Sequence, residues 1–313
     1  MSGINRREWI AGMVCAGQAW AARPKGELIE SHVHLYSDDP VRFPFASGGS
    51  GRGGAGRQAY TVETFLAFAK EAAIDHAVIV TPEPYQDDHR YLEYCLERSP
   101  SKGFFRSSCL FDPIDKRTPQ RMAELVKKNP AVAALRIHEM HEKGTPSTTT
   151  GVIRDRDLRD PQMAETWRAA TDLGLMIQVH LIPHHAAQLG ELAAKFSNTP
   201  VLLDHLARAG HDTPADFDEV IKLAKLPKVY MKYSGTGVTA SSKEPFPHPD
   251  AKAIVKRTFD AFGADRMVWG ELGTNMPNFE KAIQLFDVMF DFASETDRAK
   301  IRGLTAKKLF AFS

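Results

Sequence analysis

Short, dense runs of aliphatic and β-branched residues recur along the chain, separated by longer stretches in which apolar positions return every three or four residues. The short runs are ELIESHVHL (27–35), HAVIVT (76–81), GFFRSSCLF (103–111), AVAALRIHE (131–139), LGLMIQVHL (173–181), PVLLDHL (200–206), KVYMKYS (228–234) and RMVWG (266–270). Nearly unbroken apolar runs of this length suit strands buried on both faces, as in parallel sheets. The longer stretches, such as VETFLAFAKEAA, AETWRAATDL, HHAAQLGELAAKF and FEKAIQLFDVMF, have the spacing of helices with one apolar face. Strands that alternate with helices pair in parallel through right-handed crossovers. Eight such repeats over residues 27–313 predict a single (β/α)8 TIM barrel with a C-terminal helical extension. A doubly wound open sheet is the competing architecture.

Composition narrows the class of partner. The 313 residues are 43% hydrophobic and carry a formal net charge of +1, which gives no electrostatic reason to expect nucleic acid or an anionic membrane. Cys15, Cys95 and Cys109 show no CxxC spacing, so neither a disulfide framework nor a thiolate metal site is indicated. At the N-terminus, Arg6-Arg7 precede a weakly apolar run ending in Ala19-Trp20-Ala21. These are the parts of a twin-arginine export signal over residues 1–22, cleaved after Ala21, and they predict a periplasmic, soluble mature protein without a membrane anchor. An ordinary N-terminal helix packed on the barrel bottom is the other reading. The stretch Ser47–Arg57 (SGGSGRGGAGR) lacks the ending of a phosphate-binding loop. It reads as a flexible lid or loop above the barrel mouth, with Arg52 and Arg57 and its exposed backbone N–H groups as an alternative anion site.

The chemistry lies in histidines. His32 and His34 are two residues apart on the first strand, so their imidazoles point to the same side. His180 and His205 end or follow two later strands. Active sites of parallel barrels sit at the C-terminal ends of the strands, and four imidazoles converging there suit a divalent metal or a hydrolytic water.

In order along the chain, SHVHLY, IQVHL, LLDHLAR, VYMKYSG, VWG followed by TNMP, and the closing IRGLTAKKLFAF resemble the amidohydrolase superfamily. The resemblance is to the branch that includes 2-pyrone-4,6-dicarboxylate lactonase and sugar-acid lactonases. It implies a TIM barrel in which His32, His34 and His180 bind a divalent metal, zinc by preference, while His205 polarises or positions the substrate. The chain departs from the family after the last strand, where an aspartate normally serves as metal ligand and base. Here the run is Trp269-Gly270-Glu271-Leu272-Gly273-Thr274-Asn275-Met276-Pro277. Anchored on the proline, Asn275 replaces the aspartate, and a neutral amide cannot take a proton from water. Anchored on the strand, Glu271 is the nearby group able to act as base and as fourth metal ligand. Some lactonases of this branch work without metal, so either chemistry is open.

Several cations suggest a small acidic substrate. Arg106 lies in the third strand, Arg136 and His138 share one face of the fourth, and Arg208 follows the sixth. Of Lys232 and Tyr233, alternation lets one face inward; the family lysine corresponds to Lys232. A buried arginine is matched equally well by a substrate carboxylate or by an internal acidic residue. His184-His185 open a helix and read as exposed first-turn residues, and His141 carries no spacing signal. The leading expectation is a hydrolase that opens a lactone or related cyclic ester. A metal-dependent decarboxylase or hydratase and a non-catalytic ligand-binding barrel are the alternatives. A homo-oligomer is compatible with the sequence.

Overall fold

The computed structural model describes residues 26–46, 59–148 and 153–313. The anticipated export segment, Cys15 and the stretch Ser47–Arg57 lie outside the described residues. The strands are β1 (Ile29–Val33), β2 (His76–Val80), β3 (Phe105–Leu110), β4 (Val132–Glu139), β5 (Met176–Leu181), β6 (Val201–Leu203), β7 (Val229–Tyr233) and β8 (Met267–Trp269). They form one sheet in sequence order, and each adjacent pair is parallel. This is the (β/α)8 barrel; a doubly wound sheet would break the sequential order.

Around it stand α1 (Val62–Glu71), α2 (Arg90–Glu97), α3 (Thr118–Lys128), α4 (Pro161–Asp172), α5 (Ala186–Lys195) and α6 (Pro214–Lys222). The layer is completed by α7 (Gly235–Ala240), α8 (Lys252–Phe262), α9 (Met276–Met289), α10 (Glu295–Ala299) and α11 (Thr305–Leu309). Local chemistry starts several of these helices. Thr213 and Asp216 form a reciprocal capping box on α6, and Asp160 caps α4 with Pro161 at the first helical position. The short α7, GTGVTA, has little intrinsic helix propensity. Ser234 caps it, and it packs on the turn after β6, which accounts for its absence from the expected helices. No helix among the described residues is long and apolar enough to cross a membrane.

Alternation along the strands stacks the interior in layers. The floor is apolar: Ile29, Val78, Ala134, Met176, Leu202 and Val268 pack with Phe310 and Phe312 from the chain's end, which plugs the barrel bottom. Two residues further along the same faces come Arg136, Gln178, Asp204 and Lys232, all buried. Above them stand His138 and His180, directly paired in the β4–β5 register, and His205. The opposite strand faces join the helices in the larger apolar shell, where Tyr233 packs against Trp269, Phe286 and Phe290. Lys232 is thus the inward residue of its pair.

Arg106 corrects an expectation. It lies on the inward face of β3, but near the strand's start and in register with Val78, so it meets the floor rather than the mouth. Its guanidinium donates to the carbonyls of Phe310 (3.0 Å) and Ala311 (2.7 Å) and anchors the C-terminal plug.

Side chains fasten the seam between β8 and β1. Ser31 Oγ donates to the Trp269 carbonyl (2.7 Å), and Gly270 leaves space for β1, since a Cβ there would lie 2.9 Å from His32 Cβ. The buried Glu30 carboxylate accepts three backbone N–H groups, from His32 (2.7 Å), Glu271 (2.8 Å) and Leu272 (2.5 Å). It thereby ties the residues that follow β8 to the strand carrying the HxH pair.

Candidate active site

The charged layer beneath the mouth is built around Asp204. Its carboxylate accepts from Arg136 Nε (3.1 Å) and from Gln178 Nε2 (2.9 and 3.1 Å), and Lys232 Nζ lies 3.0 Å away. The cations placed at the mouth by alternation therefore have an internal counter-ion. Two buried cations facing one carboxylate still leave a local excess of positive charge. Burial lowers the lysine's pKa and the adjacent Asp204 opposes that shift, while Lys232, His32 and Arg136 hold the Asp204 carboxyl well below its ordinary range.

On this layer stand the imidazoles. His32 Nε2 and His34 Nε2 are 3.2 Å apart, and His34 Nδ1 lies 2.8 Å from the Val80 carbonyl, to which it donates. His32 Nδ1 faces Lys232 Nζ at 3.0 Å and Asp204 Oδ1 at 3.5 Å. With its Nδ1–H given to Asp204, His32 keeps a lone pair on Nε2; with Nδ1 accepting from Lys232, the Nε2–H goes to His34. His205 packs against His32 and His180, with ring centroids 4.5 and 5.2 Å away. Ser234 Oγ accepts the Gly237 N–H and lies 2.8 Å from His205 Nδ1, so it can either donate to that nitrogen or accept from it. With Ser234 as donor, the His205 hydrogen lies on Nε2. His180 Nδ1 lies 3.5 Å from Arg136 Nη2, while its buried Nε2 has no hydrogen-bond partner. Burial pushes His32 and His180 well below the ordinary imidazole range and lowers His205 and His138 as well, so these rings are neutral near pH 7.

His205 begins a turn, His205–Arg208, in which all four residues have positive φ, between 48° and 54°. A left-handed turn of non-glycine residues costs roughly 1–2 kcal/mol per residue. Its surroundings enforce it: Leu206 and Ala207 are buried, and α7 packs on it so closely that a Cβ on Gly237 would lie 2.6 Å from the His205 carbonyl oxygen. Strain held by packing in this way is common at functional sites. Arg208, the last residue of the turn, donates from Nη2 to His211 Nε2 at 2.9 Å.

Glu271 also has positive φ (62°). Its Oε2 accepts the Thr236 N–H at 3.1 Å, and its Oε1 lies 3.5 Å from His205 Nδ1. One ligand atom from each of His32, His205 and Glu271 falls within 4.8 Å of the others. Glu271 is thus a partly exposed carboxylate at the edge of the histidine group, not an isolated surface residue. Asn275 is placed differently: its Oδ1 accepts the Asn278 N–H (3.0 Å) as the N-cap of α9. Both residues line a cavity of about 600 Å³ at the β8–β1 side of the mouth, together with Glu30, His32, His34 and Tyr60. His138 Nδ1 is 2.7 Å from Glu83 Oε1, which engages it from the loop after β2.

The profile of the amidohydrolase family matches residues 29–312. The chain belongs to the amidohydrolase family. Solved structures share its fold across almost the whole length. A probable 2-pyrone-4,6-dicarboxylic acid hydrolase from Acinetobacter baumannii, holding citric acid, is 18% identical with a TM-score of 0.70, over 91% of this chain and 100% of that one. An amidohydrolase from Burkholderia multivorans with bound zinc is 17% identical with a TM-score of 0.69, over 92% of this chain and 100% of its own. The 2,6-dihydroxybenzoate decarboxylase from Rhizobium is 12% identical with a TM-score of 0.58, over 91% and 99%. At these identities the likeness is one of fold. No curated protein matches the chain.

The donor set of this amidohydrolase fits a divalent metal. The 3.2 Å between His32 Nε2 and His34 Nε2 suits two imidazoles on one tetrahedral ion at about 2.0–2.1 Å each, the ligand atoms that gather within 4.8 Å of one another are those of His32, His205 and Glu271, and the buried Nε2 of His180 has no hydrogen-bond partner. Sequence reasoning missed two buried acids, Asp204 and Glu30. Their signal was present: each is a carboxylate next to or two residues from a site histidine in an apolar run. It also misplaced His184 and His185, which are not exposed: His185 is 1% accessible and His184 Nδ1 lies 2.8 Å from Asp212 Oδ2.

Proposed function

We propose that this mouth opens a lactone or related cyclic ester of a small carboxylated compound by attack of water on the ester carbonyl. One observation carries the reading: a carboxylate, Glu271, stands beside neutral imidazoles at the wall of a cavity large enough for such a substrate. Glu271 takes a proton from the attacking water as the new C–O bond forms. An Nε2–H on His205 would stabilise the charge that develops on the carbonyl oxygen, and where no ion occupies the site His180 would add a second N–H. As the tetrahedral intermediate collapses, the ring C–O bond breaks and the proton held by Glu271 passes to the departing alkoxide.

His32, His34 and His180 are the residues that would hold a divalent ion, zinc by their donor chemistry, and such an ion would supply Lewis acidity at the carbonyl and lower the pKa of a bound water. Asp204 orients His32 from below, an arrangement that commonly fixes histidine ligands. The excess positive charge of the Arg136–Asp204–Lys232 layer favours an anionic substrate in the space above it.

The experiment is a hydrolysis panel of lactones with and without a ring or side-chain carboxylate, with released CO2 measured in the same vessels. Ring opening with kcat/KM at least tenfold higher for the carboxylated members supports the proposal. CO2 release without ring opening would replace it with decarboxylation, and binding without turnover would replace it with a ligand-binding barrel.

A further inference from the structure

A second group of imidazoles lies on the outer side of the barrel wall. His141 follows β4, and His184 and His185 lie in the turn that opens α5. One ring nitrogen from each falls within 4.8 Å of the others. The ring of His185 stands between the other two, with centroids 4.3 Å from His141 and 3.9 Å from His184. Strand alternation separates this group from the mouth. His138 and His180 point into the barrel, while Glu139, adjacent to His138, points the opposite way, and its fully buried carboxylate reaches His141 Nδ1 at 2.5 Å.

The hydrogen bonds leave each ring one nitrogen lone pair. His184 donates its Nδ1–H to Asp212 Oδ2 (2.8 Å), an oxygen that also accepts the His184 backbone N–H (2.9 Å). His141 Nδ1 lies 2.5 Å from Glu139 Oε1, a carboxyl that burial raises to about 8, and 3.0 Å from Ser147 Oγ; with the hydrogen of this contact on Nδ1, the ring keeps its lone pair on Nε2. His185 donates its Nε2–H to the His141 carbonyl (3.1 Å), and its Nδ1 is buried with no hydrogen-bond partner. Imidazoles whose N–H is held by a carboxylate or carbonyl, with the other nitrogen turned to a common space, are arranged as metal-binding histidines are. A buried acceptor left unsatisfied otherwise costs about 1–3 kcal/mol.

We infer that His141, His184 and His185 form a second divalent-metal site, selective for zinc-like ions that favour imidazole, with Glu139 and Asp212 orienting the rings. The bound ion joins the segment after β4 to the turn after β5, the two connections that follow His138 and His180. It stands apart from the reaction proposed for the mouth.

The test measures metal content by plasma mass spectrometry after the full-length protein, stripped by chelation, is dialysed against zinc. Wild type is compared with His141→Ala, His184→Ala and His32→Ala, and circular dichroism verifies folding. His141→Ala and His184→Ala each lose about one equivalent of zinc relative to wild type, whereas His32→Ala keeps the equivalent held by the outer group. Cobalt substitution adds a second readout: a visible ligand-field band present in His32→Ala disappears when His141→Ala is added to it. Equal zinc content in wild type, His141→Ala and His184→Ala would overturn the inference. If the mouth itself binds no metal, His32→Ala matches wild type while the two outer variants still lose their equivalent, so failure of the mouth reading is told apart from failure of this one.

Discussion

Replacing Asp204 with asparagine removes the carboxylate that contacts both Arg136 and Lys232 in the barrel's charged layer. Both cation contacts are short, 3.1 Å from Arg136 Nε and 3.0 Å from Lys232 Nζ, and Arg136, Asp204 and Lys232 are all buried. At an effective dielectric of about 20, each pair carries roughly 5 kcal/mol of Coulomb attraction, most of it offset by the cost of taking the charges out of water. Removing only the anion forfeits the attraction while the cations stay buried, and losses of about 3–5 kcal/mol are typical of such breaks. Asparagine also turns an amide N–H₂ toward a donor already in place. Asp204→Asn should therefore lower the urea unfolding free energy by about 3–5 kcal/mol, and adding Lys232→Met should recover part of it. The pH dependence has a definite sign. Lys232 has its folded pKa lowered by burial, so the unfolded chain binds more protons between that value and the ordinary lysine range, and stability rises with pH across the window. Without Asp204 the folded pKa falls further, so the window of rising stability in the variant starts at lower pH than in wild type. A loss below about 1 kcal/mol, with no recovery in the double variant, would refute the assignment of Asp204 as counter-ion of the layer.

Three further outcomes follow from other parts of the fold. Burial raises the Glu30 carboxyl to about 7, so the folded chain retains a proton that the unfolded chain has released; the group's contribution is fully present below pH 4.5 and is lost by about 3 kcal/mol as pH climbs to about 7. Urea midpoints across that range should lose the corresponding slope in Glu30→Gln, and an unchanged slope would count against it. Arg106→Ala should cost about 1–2 kcal/mol in thermal unfolding through the loss of the Phe310 and Ala311 carbonyl bonds, with kcat/KM unaltered; a kinetic defect would place Arg106 in the site after all. Gly237→Ala pushes a methyl to 2.6 Å from the His205 carbonyl oxygen, so it should lower kcat at least tenfold and reduce stability, and wild-type kinetics would show that the left-handed turn is not needed to place His205.

The fold was legible because its signal is repetitive: each of the eight apolar runs became a strand; alternation put Arg136 and His138 on one face and allowed one of Lys232 and Tyr233 inward, and the inward one is Lys232, which the family resemblance favoured. Height along the barrel axis was not legible. Arg106 and Arg136 both face inward, but Arg106 sits near the start of β3 and meets the C-terminal plug, whereas Arg136 sits a layer higher and meets Asp204. Pairing of buried charges was also hidden, because Asp204 and its partners are 68 and 28 residues apart along the chain and only barrel closure joins them. The choice between Glu271 and Asn275 depended on a loop whose alignment the sequence left open. Their side chains are engaged differently: the oxygen of Asn275 caps α9, and Glu271 Oε1 lies 3.5 Å from His205 Nδ1. His184 and His185 looked exposed from their place at a helix start; the segment after β4, carrying His141, covers them, and no local pattern records that contact.

The most direct test of the mouth as a hydrolytic site is the single-turnover rate of lactone opening in H₂¹⁸O for wild type and Glu271→Gln, on the carboxylated substrate that wild type opens fastest. The account predicts one ¹⁸O in the product carboxylate and a rate lower by about 10²–10⁴-fold in the variant, the range expected for loss of a general base, with substrate affinity and unfolding free energy preserved. An unchanged rate in Glu271→Gln would contradict it.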